Sequence, residues 1–181
     1  MCRVIFFLGA MSLLLPAASC TRTTVAPQTL GAPEFVRVTE PFASPLAPPG
    51  SGSAEIASPE ETSARVTAAA GGTITAGRYT VTIPAGALEA DTLVTVRVRE
   101  ESGMVGCELT PHGIEFATAV LLTMDLTGTG CACTETVTIY WYDPSADTWV
   151  DVGGTLDPAT LGLSTPLLHF SEYRAGRAGW Q

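Results

Sequence analysis

Tyr79-Thr80-Val81-Thr82-Ile83 and Val94-Thr95-Val96-Arg97-Val98-Arg99 decide the fold. In both runs an apolar side chain alternates with Thr or Arg. A period of two lays one face of an extended strand against a core and the other against water. Working outward, the chain from Ala64 on repeats this texture: short β-branched runs separated by turn residues at intervals of about ten, with no helical periodicity, as in an all-β sandwich. Strands are expected at Gly72 to Thr75, Arg78 to Ile83, Thr92 to Arg99, Cys107 to Thr110, Val120 to Leu126, Thr136 to Tyr142, Trp149 to Val152 and Thr160 to Leu168, with a short last one around Ser171 to Ala175. The expected core is Tyr79, Val81, Ile83, Val94, Val96, Val98, Leu122, Met124, Val137, Ile139, Trp141 and Phe170.

Upstream the texture is different. Met1 to Ser19 carries one cation, Arg3, then the apolar run Val4 to Leu15, then Pro16-Ala17-Ala18-Ser19 ahead of Cys20. This reads as an export signal, too short as a helix to cross a hydrocarbon core of about 30 Å. Small residues before a cysteine resemble the bacterial lipoprotein box, with Ala17 where leucine is more usual. That resemblance implies a diacylglycerol on the Cys20 thiol and a third acyl chain on its freed amine, enough lipid for stable anchoring. Soluble secretion is the alternative. Thr21 is not the aspartate that resembles an inner-membrane retention signal, so the outer membrane is favoured in a cell that has one.

From Thr21 to Ser63 the chain is rich in Thr, Ala, Pro, Ser, Gly and Glu and cannot bury enough apolar surface to offset its ordering entropy. It is expected to be a disordered linker. Within it Glu34-Phe35-Val36-Arg37-Val38-Thr39 alternates, and would otherwise add an edge strand or serve as a docking peptide. The expected organisation is therefore a signal peptide over 1–19, lipidated Cys20 and linker over 20–63, one antiparallel β-sandwich over 64–176, and a short tail over 177–181.

The net charge of −9 becomes about one unit more negative once Arg3 is removed, which disfavours nucleic acid and polybasic attachment to anionic lipid. All nine cations are arginines and they are scattered, so no anion site follows.

Four segments resemble the ZU-type domain of ankyrins, netrin receptors and zonula occludens protein: Gly71-Gly72-Thr73-Ile74, Tyr79 to Leu88, Leu109-Thr110-Pro111-His112-Gly113-Ile114-Glu115-Phe116, and His169-Phe170-Ser171-Glu172-Tyr173. The resemblance covers roughly Gly71 to Ala175 and looks closer still to bacterial surface lipoproteins carrying this domain alone. It implies a β-sandwich used for protein contacts, with no cofactor. No spectrin-binding residue of the ankyrins carries across, and a fold does not license a function.

The same resemblance makes His169-Phe170-Ser171 a candidate for autocleavage, because some ZU-type relatives with death domains, and an unrelated nucleoporin, cleave themselves between such a Phe and Ser. Ser171 Oγ would attack the Phe170 carbonyl in a strained turn, His169 would help move the proton, and water would hydrolyse the ester. The structural reading is that the triplet ends a strand, with Phe170 in the core. Of the remaining thiols, Cys107, Cys131 and Cys133, one disulfide and one spare are expected in an oxidising compartment, Cys107 pairing with Cys131 or Cys133. A zinc site of the three with His112 is the alternative, but its spacing matches no usual paired-ligand loop. Asp143, Asp147 and Asp151 suggest calcium less well than a hairpin turn. Tyr140, Trp141, Tyr142, Trp149 and Tyr173 are candidates for a carbohydrate- or peptide-binding face, Tyr140 and Tyr142 on one side and Trp141 on the other. With no nucleophile elbow and no metal-protease pair, the expectation is a binding or structural module in the cell envelope, without metal or cofactor, not a turnover enzyme. Its expected contacts are the membrane, through lipid, and an envelope or extracellular protein, with self-cleavage at Phe170–Ser171 as the runner-up.

Overall fold

The computed structural model describes residues 33–40, 60–100, 102–131 and 136–179. The leader, Cys20, Cys133, most of the linker and the end of the tail lie outside them. Eleven strands follow one another: β1 (Glu61–Val66), β2 (Gly72–Ala76), β3 (Tyr79–Ile83), β4 (Thr92–Val98), β5 (Gly106–Thr110), β6 (Glu115–Asp125), β7 (Val137–Asp143), β8 (Thr148–Gly153), β9 (Thr155–Asp157), β10 (Gly162–His169) and β11 (Glu172–Arg177). They form two antiparallel sheets packed on each other, ordered β1-β4-β5-β11-β7-β8 and β2-β3-β6-β10-β9. The all-β sandwich read from the alternation is the observed fold.

Each alternating run does what its period requires. In β3 Tyr79, Val81 and Ile83 are buried between half-buried or exposed threonines, and in β4 Val94 and Val96 are buried. Of the expected core, Val98 and Trp141 are only half-buried, because each lies toward the end of its strand. Tyr140, Tyr173 and Cys107 are buried in addition.

Two elements were not expected. β1 begins at Glu61, inside the stretch read as linker, because as an edge strand it exposes Glu61, Ser63 and Arg65 and so looks polar. β9 has only three residues, too few for a pattern. It covers β10 only at Gly162, Leu163 and Ser164, so Pro166 sits where β10 has β6 as its one sheet neighbour. A proline is tolerated there because the open side needs no ladder donor.

β6 is longer than expected, starting at Glu115 rather than Val120. Its first residues, Glu115 to Ala119, lie outside the alternation and extend past the core. They meet the end of β10 at the pair Glu115 and His169, beyond a register shift that leaves Leu168 70% exposed.

The segment read as linker with a docking alternative, Glu34 to Thr39, is laid against the sandwich. β5 stops opposite Arg174, and beyond it the segment takes the vacant place beside β11. Val36 N–H donates to Ala175 O at 2.9 Å, Arg177 N–H to Glu34 O at 2.9 Å, Val105 N–H to Val36 O at 2.9 Å and Val38 N–H to Gly103 O at 2.8 Å. Val36 is buried, and Phe35 packs edge-on to Tyr140 and Trp149 with ring centroids 6.2 and 5.0 Å away. That cover explains why Tyr140, on the outer face of its sheet, is buried while its hydroxyl donates to Arg177 O at 2.7 Å.

One end of the sandwich is held by a buried polar network. Tyr79 Oη accepts from Gly106 N–H at 2.7 Å and donates to Glu100 Oε1 at 2.5 Å, linking the two sheets. Arg78 adds Nε to Glu100 Oε1 at 2.9 Å and Nη1 to the carbonyls of Asp125 and Thr127, each at 2.8 Å. Buried charges need this degree of pairing, since an uncompensated one is strongly destabilising.

Candidate functional site

At one end of the sandwich a cleft of about 600 Å³ opens between three connections that are distant in sequence. The β5–β6 connection brings His112 and Gly113, and the extended start of β6 brings Glu115 and Phe116. The β7–β8 hairpin contributes Trp141 and Pro144, and the β10–β11 junction contributes Leu168 to Ser171. Two of the four segments that carry the ZU-type resemblance therefore meet here.

The walls are apolar and aromatic. Phe116 lies edge-on to buried Phe170 at 4.8 Å, and Trp141 edge-on to His169 at 4.5 Å. Polar groups sit among them. His112 Nε2 is 3.5 Å from Glu108 Oε1, a carboxylate whose other oxygen is already 2.6 Å from Arg99 Nη2. His169 lies over Tyr173, whose hydroxyl donates to the His169 carbonyl at 2.7 Å. Burial pushes the Tyr173 phenol well above its ordinary range, so it serves as a neutral donor.

For the triplet His169-Phe170-Ser171, Phe170 fills the core and Ser171 Oγ donates to Tyr142 O at 3.2 Å. The Ser171 carbonyl accepts from Leu109 N–H at 2.9 Å. Among the described residues other than glycine, positive φ occurs at Asp147 and Leu161, not in the triplet. In this ground state the hydroxyl is committed to a neighbouring strand's carbonyl, and its backbone stands in the ordinary negative-φ regions.

A second hollow of about 420 Å³ adjoins the cleft, sharing Gly113 and Glu115 and lined further by Leu88, Glu89, Ala90, Thr92 and Ile114. Gly113 has φ +79° and nothing within 4 Å of where a Cβ would stand, so the boundary between the hollows carries no side chain at that point.

The cysteines depart from expectation. Cys107 is a wholly buried free thiol in the core, opposite Tyr173 and Val98, and is not bonded to Cys131. Cys107 alternates inward with Leu109 on β5 and takes a place in the core, whereas Cys131 lies in the loop after β6, where it lines a small hollow with Glu34 to Arg37. Burial, with Glu172 and Glu100 nearby, raises the Cys107 thiol far above its ordinary value and keeps it protonated. Cys133 and the lipidation candidate Cys20 lie outside the described residues.

Among the described residues no group of three or more His, Cys, Asp or Glu side chains is placed to hold a metal ion. The three aspartates serve turns. Asp143 accepts from Ser145 N–H and Oγ, Asp147 accepts from Tyr142 Oη, and Asp151 accepts from Thr138 Oγ1 and Gly153 N–H. The aromatic residues divide as alternation requires, Tyr140, Tyr142 and Trp149 on the outer face and Trp141 toward the cleft. On the outer face Arg174 lies over Phe35 and Trp149 at 5.4 and 5.0 Å, so that cluster already holds its cation.

His112, Glu115, Phe116 and Leu168 entered the expected strands and motifs without being marked as one site. The sole available signal was the motif resemblance in which both segments occur. No protein-family model matches this chain, and no curated protein matches it.

Proposed function

We propose that this chain is an exported, lipid-anchored envelope protein whose ZU-type sandwich is a binding module, with the end cleft as its ligand site and no catalytic turnover. The observation that carries the reading is the cleft itself: aromatic walls from Phe116, Trp141 and Phe170, rimmed by His112, Glu115, His169 and Ser171. Concave apolar surface with a few convergent polar groups is the usual form of a ligand site. The export and anchoring part rests on the apolar leader and on Cys20 after Ala17-Ala18-Ser19.

The binding part is tested by titrating the full chain with p-cresol, a small aromatic probe, and following side-chain NMR signals. Shifts confined to Trp141, Phe116 and Leu168 support the reading; shifts elsewhere, or none at millimolar probe, reject it. Anchoring is tested by intact mass and membrane fractionation of wild type and Cys20→Ser in a lipoprotein-processing host. Acyl mass that survives the substitution would reject Cys20 as the anchor.

The second reading, self-cleavage between Phe170 and Ser171, draws on His169 and Ser171 sharing the cleft wall. Two fragments in wild type and one chain in Ser171→Ala would establish it. A single intact chain in both would dismiss it.

A further inference from the structure

We infer that the cleft and its neighbouring hollow together take an extended peptide from a partner protein, an apolar side chain at the Trp141 end and a lysine or arginine at the Glu115–Glu89 end. The inference rests on the cleft being a ligand site and adds what the ligand is.

Shape points to an extended chain. The two hollows, about 600 and 420 Å³, share Gly113 and Glu115, and Gly113 places no side chain between them. A compact ligand needs one hollow; a strand-like segment can occupy both. Side chains alternate along such a segment, so residues two apart reach the same surface.

Charge points to a cation at the second end. Glu115 and Glu89 line it, both exposed, and no arginine lines either hollow. Arg65, opposite Leu93 on the edge strand and next to the lining residue Thr92, lines neither hollow and is exposed, and Arg97 and Arg99 are turned to Glu108 at 3.5 and 2.6 Å. Glu115 and Glu89 have no such cation among the ion pairs of the described residues. The chain as a whole carries −9, which steers cationic segments toward it. At the first end, Leu168 stands 70% exposed beside Trp141 and Phe116, an apolar side chain held out by the β10 register shift rather than buried by it. An apolar ligand group would cover it.

The test uses two dye-labelled probes, acetyl-Leu-Phe-Ala-Lys-Arg-amide and acetyl-Leu-Phe-Ala-Glu-Glu-amide, titrated by fluorescence anisotropy against the full chain, Glu115→Gln/Glu89→Gln and Leu168→Ser. All three altered positions are exposed, so the variants are expected to fold. The cationic probe should bind about tenfold more tightly than the anionic one, as two exposed ion pairs allow. The paired glutamine substitutions should erase that difference, and Leu168→Ser should weaken both probes. Equal binding of the two probes, or a preference indifferent to the glutamine substitutions, overturns the charge assignment. Binding indifferent to Leu168→Ser overturns the placement. If p-cresol shifts the cleft residues but neither peptide binds, the peptide inference falls while the cleft stands as a ligand site; if neither p-cresol nor peptide binds, both fall.

Discussion

Tyr79→Phe removes one oxygen from the buried link between the sheets. That oxygen accepts from Gly106 N–H at 2.7 Å and donates to Glu100 Oε1 at 2.5 Å. Phenylalanine keeps the ring and its packing, so the change isolates the hydroxyl. Gly106 is buried, and its amide would be left without an acceptor, which costs about 1–3 kcal/mol. Glu100, the charged acceptor, would lose the Tyr79 hydroxyl as a donor but keep Arg78 at 2.9 Å. Set against the easier burial of a phenyl ring, the net destabilisation is about 2–3 kcal/mol, which in a domain of this size lowers Tm by roughly 8–12 °C. Urea unfolding is the assay: the midpoint should fall while the slope stays constant, since the exposed area is unchanged. Tyr142→Phe is the control, because that hydroxyl pairs with exposed Asp147 at the hairpin turn and should matter by less than about 0.5 kcal/mol. If Tyr79→Phe unfolds within about 0.5 kcal/mol of wild type, the hydroxyl does not hold the sheets as argued.

Stability should decline in alkali. Cys107, Tyr79 and Tyr173 all have folded pKa values raised by burial above ordinary values of 9.0, 10.0 and 10.0. The unfolded chain therefore releases protons first, and stability present below about pH 9 is lost as pH rises, by about 1.4 kcal/mol per pH unit per group past its ordinary value. Urea melts at pH 8, 9.5 and 10.5 measure it, and Cys107→Ala should flatten the earliest part; a flat profile to pH 10.5 contradicts the assignment. Val36→Asp should free the docked segment by putting a charge at a buried position. Hydrogen exchange would then show the amides of Val105, Gly130 and Arg177, which donate to Val36, Arg37 and Glu34, losing protection while β6 keeps it; unchanged protection at those three would show that the segment does not hold them. Gly71→Ala should cost well over 2 kcal/mol, since its φ is +67° and a Cβ would stand 2.2 Å from Ile83 O, whereas Gly113→Ala, with an open Cβ site, should cost about 1 kcal/mol from its φ alone. Similar midpoints for the two glycine variants would refute the distinction.

The sandwich was legible because alternation is local: Tyr79 to Ile83 and Val94 to Val98 state which face is buried without reference to any partner strand. Phe170 and the turn role of Asp143 were legible for the same reason. β1 was hidden because an edge strand has one wet face and one open side, so Glu61 to Arg65 resembles linker. The fate of Glu34 to Thr39 depended on a gap that exists only because β5 stops short of the end of β11. Cys107 was assigned a partner by counting thiols, and strand direction placed it in the core instead. The cleft is the clearest case. His112, Trp141 and His169 are far apart in sequence, and each is unremarkable alone. Periodicity along a chain specifies the face a residue takes, but which strands neighbour one another, and therefore which loop ends converge, follows from the total burial that two sheets packed face to face achieve together. That is a property of the packed whole.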